Sequence, residues 1–544
     1  MEHTDAELRQ FRRMTETPVP GLVVSLAIPT IFTMLITSFY NMADTFFVAR
    51  LGTSAAGAVG IVFAIMAFIQ AVGFTVGIGC GSMVSRALGR QDKRTADRAV
   101  SSAFALALLL GIVLSAVGLL FSRPLLTLLG ATPTILPYAR DYARYIFLGT
   151  AVLCCSIVLN NTLRAEGKAI FSTVGLGFGG VLNIALDPLF IFTFDLGIAG
   201  AAIATLISQC VSLLILLGFF LAGRSITRLN PACISRDRAL YFEILKIGAS
   251  SFCRQGLAGV STVALNVSAG AYGDAAVAAM SIVGRIFHFL LSALIGFGQG
   301  FQPVAGYNYG ARKYERVREA FFFAVKNGTV FLTCLAVLGF CFAPEIISVF
   351  QPDDPQLIEI GATAFRAQCL ALPLQSTIVL SNMLFQSVGK AFQALFISAT
   401  RQGIYFLPLI LILPKYWQLT GVQMTQMLAD LLTVACCIPF LLRFFRDLKK
   451  LEEEQTEAAR NLLRLSALCC DGSVTVEDGK EKHIGDPTET ALVLGAREAF
   501  ACDIDEKCVD VAYENAALNG IGKDRYTVRW GDVLTDKALQ AEFG

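Results

Sequence analysis

Residues 85–99 read SRALGRQDKRTADRA, and residues 308–320 read NYGARKYERVREA. Each passes from small residues through a glycine into a run of mixed charge, and each follows a long apolar segment. The two glycines, Gly89 and Gly310, stand 221 residues apart. The same offset joins Leu51-Gly52 to Tyr272-Gly273, Gly77 to Gly298 and Gly79 to Gly300, and 222 joins Gly167-Lys168 to Gly389-Lys390. So constant a spacing is an internal repeat, and the chain is built of two like halves.

Composition says what the halves are made of. Of 544 residues, 55% are hydrophobic and only 16% charged, and the mean hydropathy is +0.62. That leaves too few charges for the surface of a soluble domain, so most of the chain faces lipid. Apolar runs long enough to cross a bilayer fall near 21–48, 55–82, 99–121, 138–162, 169–193 and 197–222, then near 244–268, 275–301, 319–343, 361–387, 391–413 and 421–443. The fold class expected is an all-α membrane protein of twelve transmembrane helices. Six is an even number, so the two six-helix repeats are parallel, and they enclose a central cavity. The first twenty residues are polar and the first apolar run is long enough to span, so no cleaved signal peptide is expected. The fifteen cysteines lie mostly in apolar runs, such as Cys154-Cys155 and Cys436-Cys437, where they pack rather than pair.

Basic residues orient the spans. Arg9, Arg12 and Arg13 precede the first. Arg86, Arg90, Lys93, Arg94 and Arg98 follow the second, and Arg312, Lys313, Arg316 and Arg318 follow the eighth. The opposite connections hold only Arg50, Arg123, Arg140 and Lys415. The basic side is therefore read as cytoplasmic, with both termini there. The expected divisions are a cytoplasmic N-terminus (1–20), an N-lobe (21–222), a cytoplasmic linker (223–243), a C-lobe (244–446) and a soluble extension (447–544).

A carboxylate near mid-bilayer costs roughly 2.5–3.5 kcal/mol on insertion scales and so marks a functional position. Asp44 on the first span and Asp187 on the fifth both fall ~10–12 Å below the outer face, taking ~1.5 Å of rise per residue. Asn183 shares a helix face with Asp187, and Thr205 on the sixth span reaches the same depth. Oxygens from three helices at one level can hold a proton or a hard cation such as Na⁺. Alternatively, these are buried polar groups that tie helices together. The repeat separates the two readings, because Asp44 corresponds to Leu265, and Asp187 to Leu407 beside Pro408. The same bundle is thus specified without either carboxylate. In the second half, snorkelling to an interface suits Arg254 and Arg366. Arg285 and Arg401 could reach the cavity or pair with Asp430 on the twelfth span, and His288 reads as structural.

Four segments, FYNMADTFFVARLG (39–52), SRALGRQDKRTADRA (85–99), LRAEGKAIFSTVGLGFGGVLNIALDPLFI (163–191) and GFGQGFQPVAGYNYGARKYERVREAF (296–321), carry a resemblance to the multidrug and toxic compound extrusion family. It covers roughly residues 15–450 and is similar to the prokaryotic branch that includes DNA-damage-inducible protein F. The resemblance implies cation coupling at Asp44, Asn183 and Asp187, with Thr205 beside them and Tyr142 and Asn160 as secondary candidates. It also implies a bend in the first helix at Pro29. The implied activity is export of organic, mostly cationic compounds from bacteria, across the cytoplasmic (inner) membrane, in exchange for H⁺ or Na⁺. The partners are then drug-like small molecules and the bilayer, with no nucleic acid, no enzyme activity, no cofactor beyond the coupling ion, and a monomeric state. A flippase for a lipid-linked oligosaccharide is the alternative; it calls for extra helices or a strongly cationic cavity.

Beyond Lys450 the character changes. Residues 466–496, with GDPTETAL, resemble part of the nucleotide-binding domain of P-type ATPases. Residues 500–544 resemble the cofactor-binding part of ribosomal-protein methyltransferases, with Asp503 or Asp505 in the ribose-binding place. The ATPase phosphorylation motif DKTG and the methyltransferase glycine-rich loop are both missing, which argues against a membrane-tethered enzyme. Pieces of this size cannot bury proper cores, so the extension is expected to be poorly packed and without a part in transport.

Overall fold

The computed structural model describes residues 5–352, 354–468, 473–477 and 480–484. Asp503, Asp505 and the GDPTETAL stretch lie outside the described residues. Two compact units divide the chain, Met1–Leu441 and Leu442–Gly544.

Among the described residues, nine helices are long and apolar enough to cross a bilayer by length and composition, and the pair Pro355–Ala371 and Leu374–Ser387, bent by 56°, makes a tenth span. One of the nine, running from Ala391 to Thr456, breaks at Gln418 (φ +49°) and is two spans. The twelfth is Arg238–Gly270, seventh in chain order, which carries Arg254 and several serines and is too polar to pass the same test. The count is twelve, as the repeat requires. Helices satisfy their own backbone groups, which is what a lipid environment demands.

The structure carries the repeat down to single backbone angles. Gly52 and Gly273 have φ of +115° and +101°, Gln91 and Arg312 both +58°, and Gly167 and Gly389 +78° and +79°. Each is a left-handed turn between spans, and each falls at the same place in its half. The second and eighth spans, Thr53–Gly89 and Asp274–Gly310, are both 37 residues long. At ~1.5 Å per residue each is ~55 Å, so it stands well clear of a ~30 Å hydrocarbon core.

These two long helices join the halves. Gly79 of the second span lies against the backbone of Ile244 in the seventh, and Gly300 of the eighth lies against Ala27 in the first. Toward the basic end the two cross each other: Gly89 abuts the Tyr307 carbonyl, and its counterpart Gly310 abuts the Arg86 carbonyl. A methyl group at any of the four would collide with main chain. Close approach of this kind is what glycine permits between membrane helices, where packing rather than hydrophobicity drives association. A polar knot fills the same region. Arg164 on the fourth span donates to Gln299 on the eighth and to Asn161, while Ser82 donates to the Gln386 carbonyl on the tenth. The halves are thus closed against one another at their basic end.

A short helix, Asp5–Glu16, precedes the first span and lies at that end. The Met14 carbonyl accepts from Asn308 Nδ2 at 3.1 Å, and Glu7 pairs with Lys93. Just past the fourth span, Glu166 is fully buried. Its carboxylate accepts from Ser225 Oγ (2.7 Å), Ile226 N (2.9 Å), Thr227 N (3.0 Å) and Thr227 Oγ1 (2.5 Å), clasping the segment that follows the sixth span. In the second unit, the described residues are the end of the last helix, as far as Leu468, and an antiparallel hairpin pairing Ser473–Glu477 with Lys480–Ile484.

Candidate cation-coupling centre

The first span, Val19–Ala49, is one helix with Pro29 inside it. Proline donates no hydrogen bond to the preceding turn, and Thr33 Oγ1 caps the Pro29 carbonyl at 3.0 Å. Four turns on, Asp44 is reached by the fourth span, where the fully buried Tyr142 donates its hydroxyl to Asp44 Oδ2 at 3.3 Å.

Asp187 ends the regular part of the fifth span, Ala169–Pro188. The helix widens immediately after it into a π turn, Leu189–Thr193. Asn183 stands one turn earlier and donates through Nδ2 to Asp187 Oδ1 at 3.2 Å and to Thr205 Oγ1 on the sixth span at 3.3 Å. Asp187, Asn183 and Thr205 are all buried, at 0%, 3% and 7% exposure. The two groups stand on neighbouring helices, the fifth span packing on the first with Gly180 against Ile36 and Tyr40.

The donor count falls short of the acceptor count here. Asp44 Oδ1, Asn183 Oδ1 and Asp187 Oδ2 are buried with no protein hydrogen-bond partner, as is the hydroxyl of Ser208. Ser208 lies one helical turn beyond Thr205 and was not foreseen from the sequence, although i,i+3 spacing points to it. Among the described residues no three His, Cys, Asp or Glu side chains gather as metal ligands. The set is two carboxylates, an amide and hydroxyls, and oxygens of this kind suit a proton or a hard monovalent cation.

The secondary candidates separate. Tyr142 belongs to the centre. Asn160 lies ~27 Å further along the same helix at ~1.5 Å per residue, where Nδ2 donates to the Ser172 carbonyl (3.0 Å) and hydroxyl (2.7 Å). Its repeat counterpart Asn382 makes the equivalent bond to the Ala394 carbonyl at 2.7 Å. A bond made in both halves holds the fold and does not distinguish the acidic centre. Arg285 is exposed on the eighth span, with no hydrogen bond or ion pair among the described residues. Asp430 instead pairs with Arg401 Nε at 2.9 Å and accepts from Gln426 and Gln375, two partners the sequence did not suggest.

Two parallel six-span bundles, of which one holds two intramembrane carboxylates with unpartnered oxygens while the carboxylate of the other is paired with an arginine, define a membrane transport protein. The MatE family model matches residues 29–189 and again 255–411, once in each half and over more than half of the chain. The chain belongs to the MatE family of multidrug and toxic compound extrusion transporters. It is similar to the multidrug export protein MepA of Staphylococcus aureus (strain MRSA252), at 26% identity over 443 residues, spanning 81% of this chain and 97% of that one. The multidrug export protein MepA of Staphylococcus haemolyticus (strain JCSC1435) is 27% identical over 416 residues, 76% and 91% of the two chains. A solved outward-facing multidrug resistance transporter of the family superposes with a TM-score of 0.77 at 26% identity, covering 82% of this chain and all of that one.

Proposed function

We propose that this chain is a secondary active multidrug efflux transporter of the bacterial cytoplasmic membrane, exporting organic, mostly cationic compounds by antiport with H⁺ or Na⁺. One observation carries the reading. A fold repeated in both halves holds paired carboxylates in one half only, and three buried oxygens there accept no protein hydrogen bond. An ion loaded onto Asp44, Asn183, Asp187 and Thr205 and a cationic drug compete for the same negative charge, and that competition is the coupling. The positive-inside distribution supports a cytoplasmic position for both termini. The closed basic end is then the cytoplasmic one, and access alternates by opening it. Pro29 supplies the adjustable point of the first helix. The names borne by the relatives speak for drug export over oligosaccharide flipping.

The test is Asp187→Asn in proteoliposomes under imposed proton or sodium gradients, with ethidium as cargo. Gradient-driven efflux should disappear while ethidium still binds. Efflux undiminished in that variant would overturn the assignment. Dependence of the unmodified protein on one gradient alone names the ion.

A further inference from the structure

The C-lobe holds the converse imbalance. Arg254 sits sixteen residues from either end of the seventh span, Arg238–Gly270, which is ~24 Å from each at ~1.5 Å per residue. The middle of the helix is the place furthest from either of its ends, which speaks against snorkelling. Nor does Arg254 lie on the most exposed face of this helix, which is marked by Val260, Val263 and Val267, 53%, 63% and 72% exposed. Arg254 lies on the opposite face, in line with Ser250 and Ser251, which hydrogen-bond Gln386 of the tenth span, and with Ser261, which donates to the Gln402 carbonyl of the eleventh. Its side chain is half-buried rather than buried.

An intramembrane arginine is expected to have a partner, yet among the described residues Arg254 makes no hydrogen bond and no ion pair. The carboxylate in this part of the lobe, Asp430, is already taken: Arg401, Gln426 and Gln375 all donate to it. Arg401 uses only Nε in doing so. Next to Arg254, Gln255 has a buried Nε2 with no acceptor. The eleventh span packs on this face of the seventh, Gly403 against Leu257 and the Gln402 carbonyl on Ser261, which brings the neighbouring Arg401 to the same side. Where the N-lobe has acceptors without donors, this region has cationic donors without an acceptor.

We infer that the C-lobe interior, centred on Arg254 with the outer nitrogens of Arg401, binds the acidic group of an amphiphile: a carboxylate, sulfonate or phosphate. A guanidinium matches such groups through paired N–H bonds. The acid is then held in the C-lobe, away from the carboxylates of the N-lobe.

Two probes test this on the purified full chain, with no ion gradient applied, so the outcome is independent of the coupling scheme. Anilinonaphthalene sulfonate represents a free acid, and phosphatidylglycerol in phosphatidylcholine vesicles represents a lipid headgroup. Arg254→Gln should weaken sulfonate binding about tenfold, the worth of one charged hydrogen-bond pair, and Arg254→Lys should restore part of it. Ethidium binding and melting temperature should not change, which separates loss of the site from loss of the fold. Competition by phosphatidylglycerol against the sulfonate, present with Arg254 and absent in Arg254→Gln, would identify lipid as the source; no competition would identify free acids. Equal sulfonate affinity with and without the arginine would overturn the inference. Failure of ethidium to bind at all would count against multidrug export and leave the sulfonate comparison standing.

Discussion

At the scale of the residue, Asp44, Asp187, Asn183 and Thr205 were legible because a carboxylate inside an apolar run is conspicuous and helical spacing supplies its neighbours. Glu166 was not, since it lies among Arg164, Gly167 and Lys168 in what reads as an ordinary polar connection. Its importance shows only once Ser225, Ile226 and Thr227 fold back onto it. Burial pushes its carboxyl above the usual range, against the pull of the donors around it. A carboxyl raised in the folded state stabilises the fold below its unfolded pKa, and that contribution is lost as pH rises through the raised value. Melting in detergent should therefore show stability falling from acid toward neutral pH by this group's share. Glu166→Ala should remove that share of the slope and lower stability throughout by roughly 1–3 kcal/mol for each N–H left without an acceptor. An identical pH slope in the variant would mean that the group titrates as it does in the unfolded chain.

At the scale of the element, hydropathy located the spans but not the helices. The second and eighth spans end at Gly89 and Gly310 rather than near 82 and 301, because apolar content reports where lipid stops and a helix can continue into water. For the same reason the polar helix Asp5–Glu16 carried no signal as a span, and neither did the short helices Ser122–Leu128 and Ala343–Ser348, which stand at the repeat offset. Repeated glycines were the better guide to how elements meet. Gly310→Val should cost more than the ~1–3 kcal/mol usual for overpacking, because main chain rather than a movable side chain stands in the way. Gly218→Ala, with nothing near the added methyl, is the matched control and should melt unchanged or higher. Equal melting of Gly310→Val and the unsubstituted protein would mean the two long helices do not cross so closely.

At the scale of the whole molecule, the repeat made the two-lobe architecture readable from a handful of residue pairs, and the departures from it made the chemistry readable. Arg401 shows the limit: sequence offered Asp430 as one option among several, and only the meeting of the eleventh and twelfth spans decides it. The extension resembles pieces of two unrelated proteins, and every candidate residue of the cation centre precedes it in the chain. We expect a chain ended after Lys450 to export ethidium at the rate of the full chain when equal amounts are reconstituted. A large loss of rate would give the extension a part in transport.

The crossing of the two 37-residue helices has a mechanical consequence. Main chain touches main chain at Gly89 and Gly310, near one tip of each helix. A joint placed there acts as the pivot of a long lever. With an arm of ~50 Å, a tilt of about 10° that keeps the joint intact sweeps the far tips through ~9 Å. In the proposed cycle of alternating access, the basic end stays shut while the opposite end yawns, and opening the basic end requires the glycine contacts themselves to part.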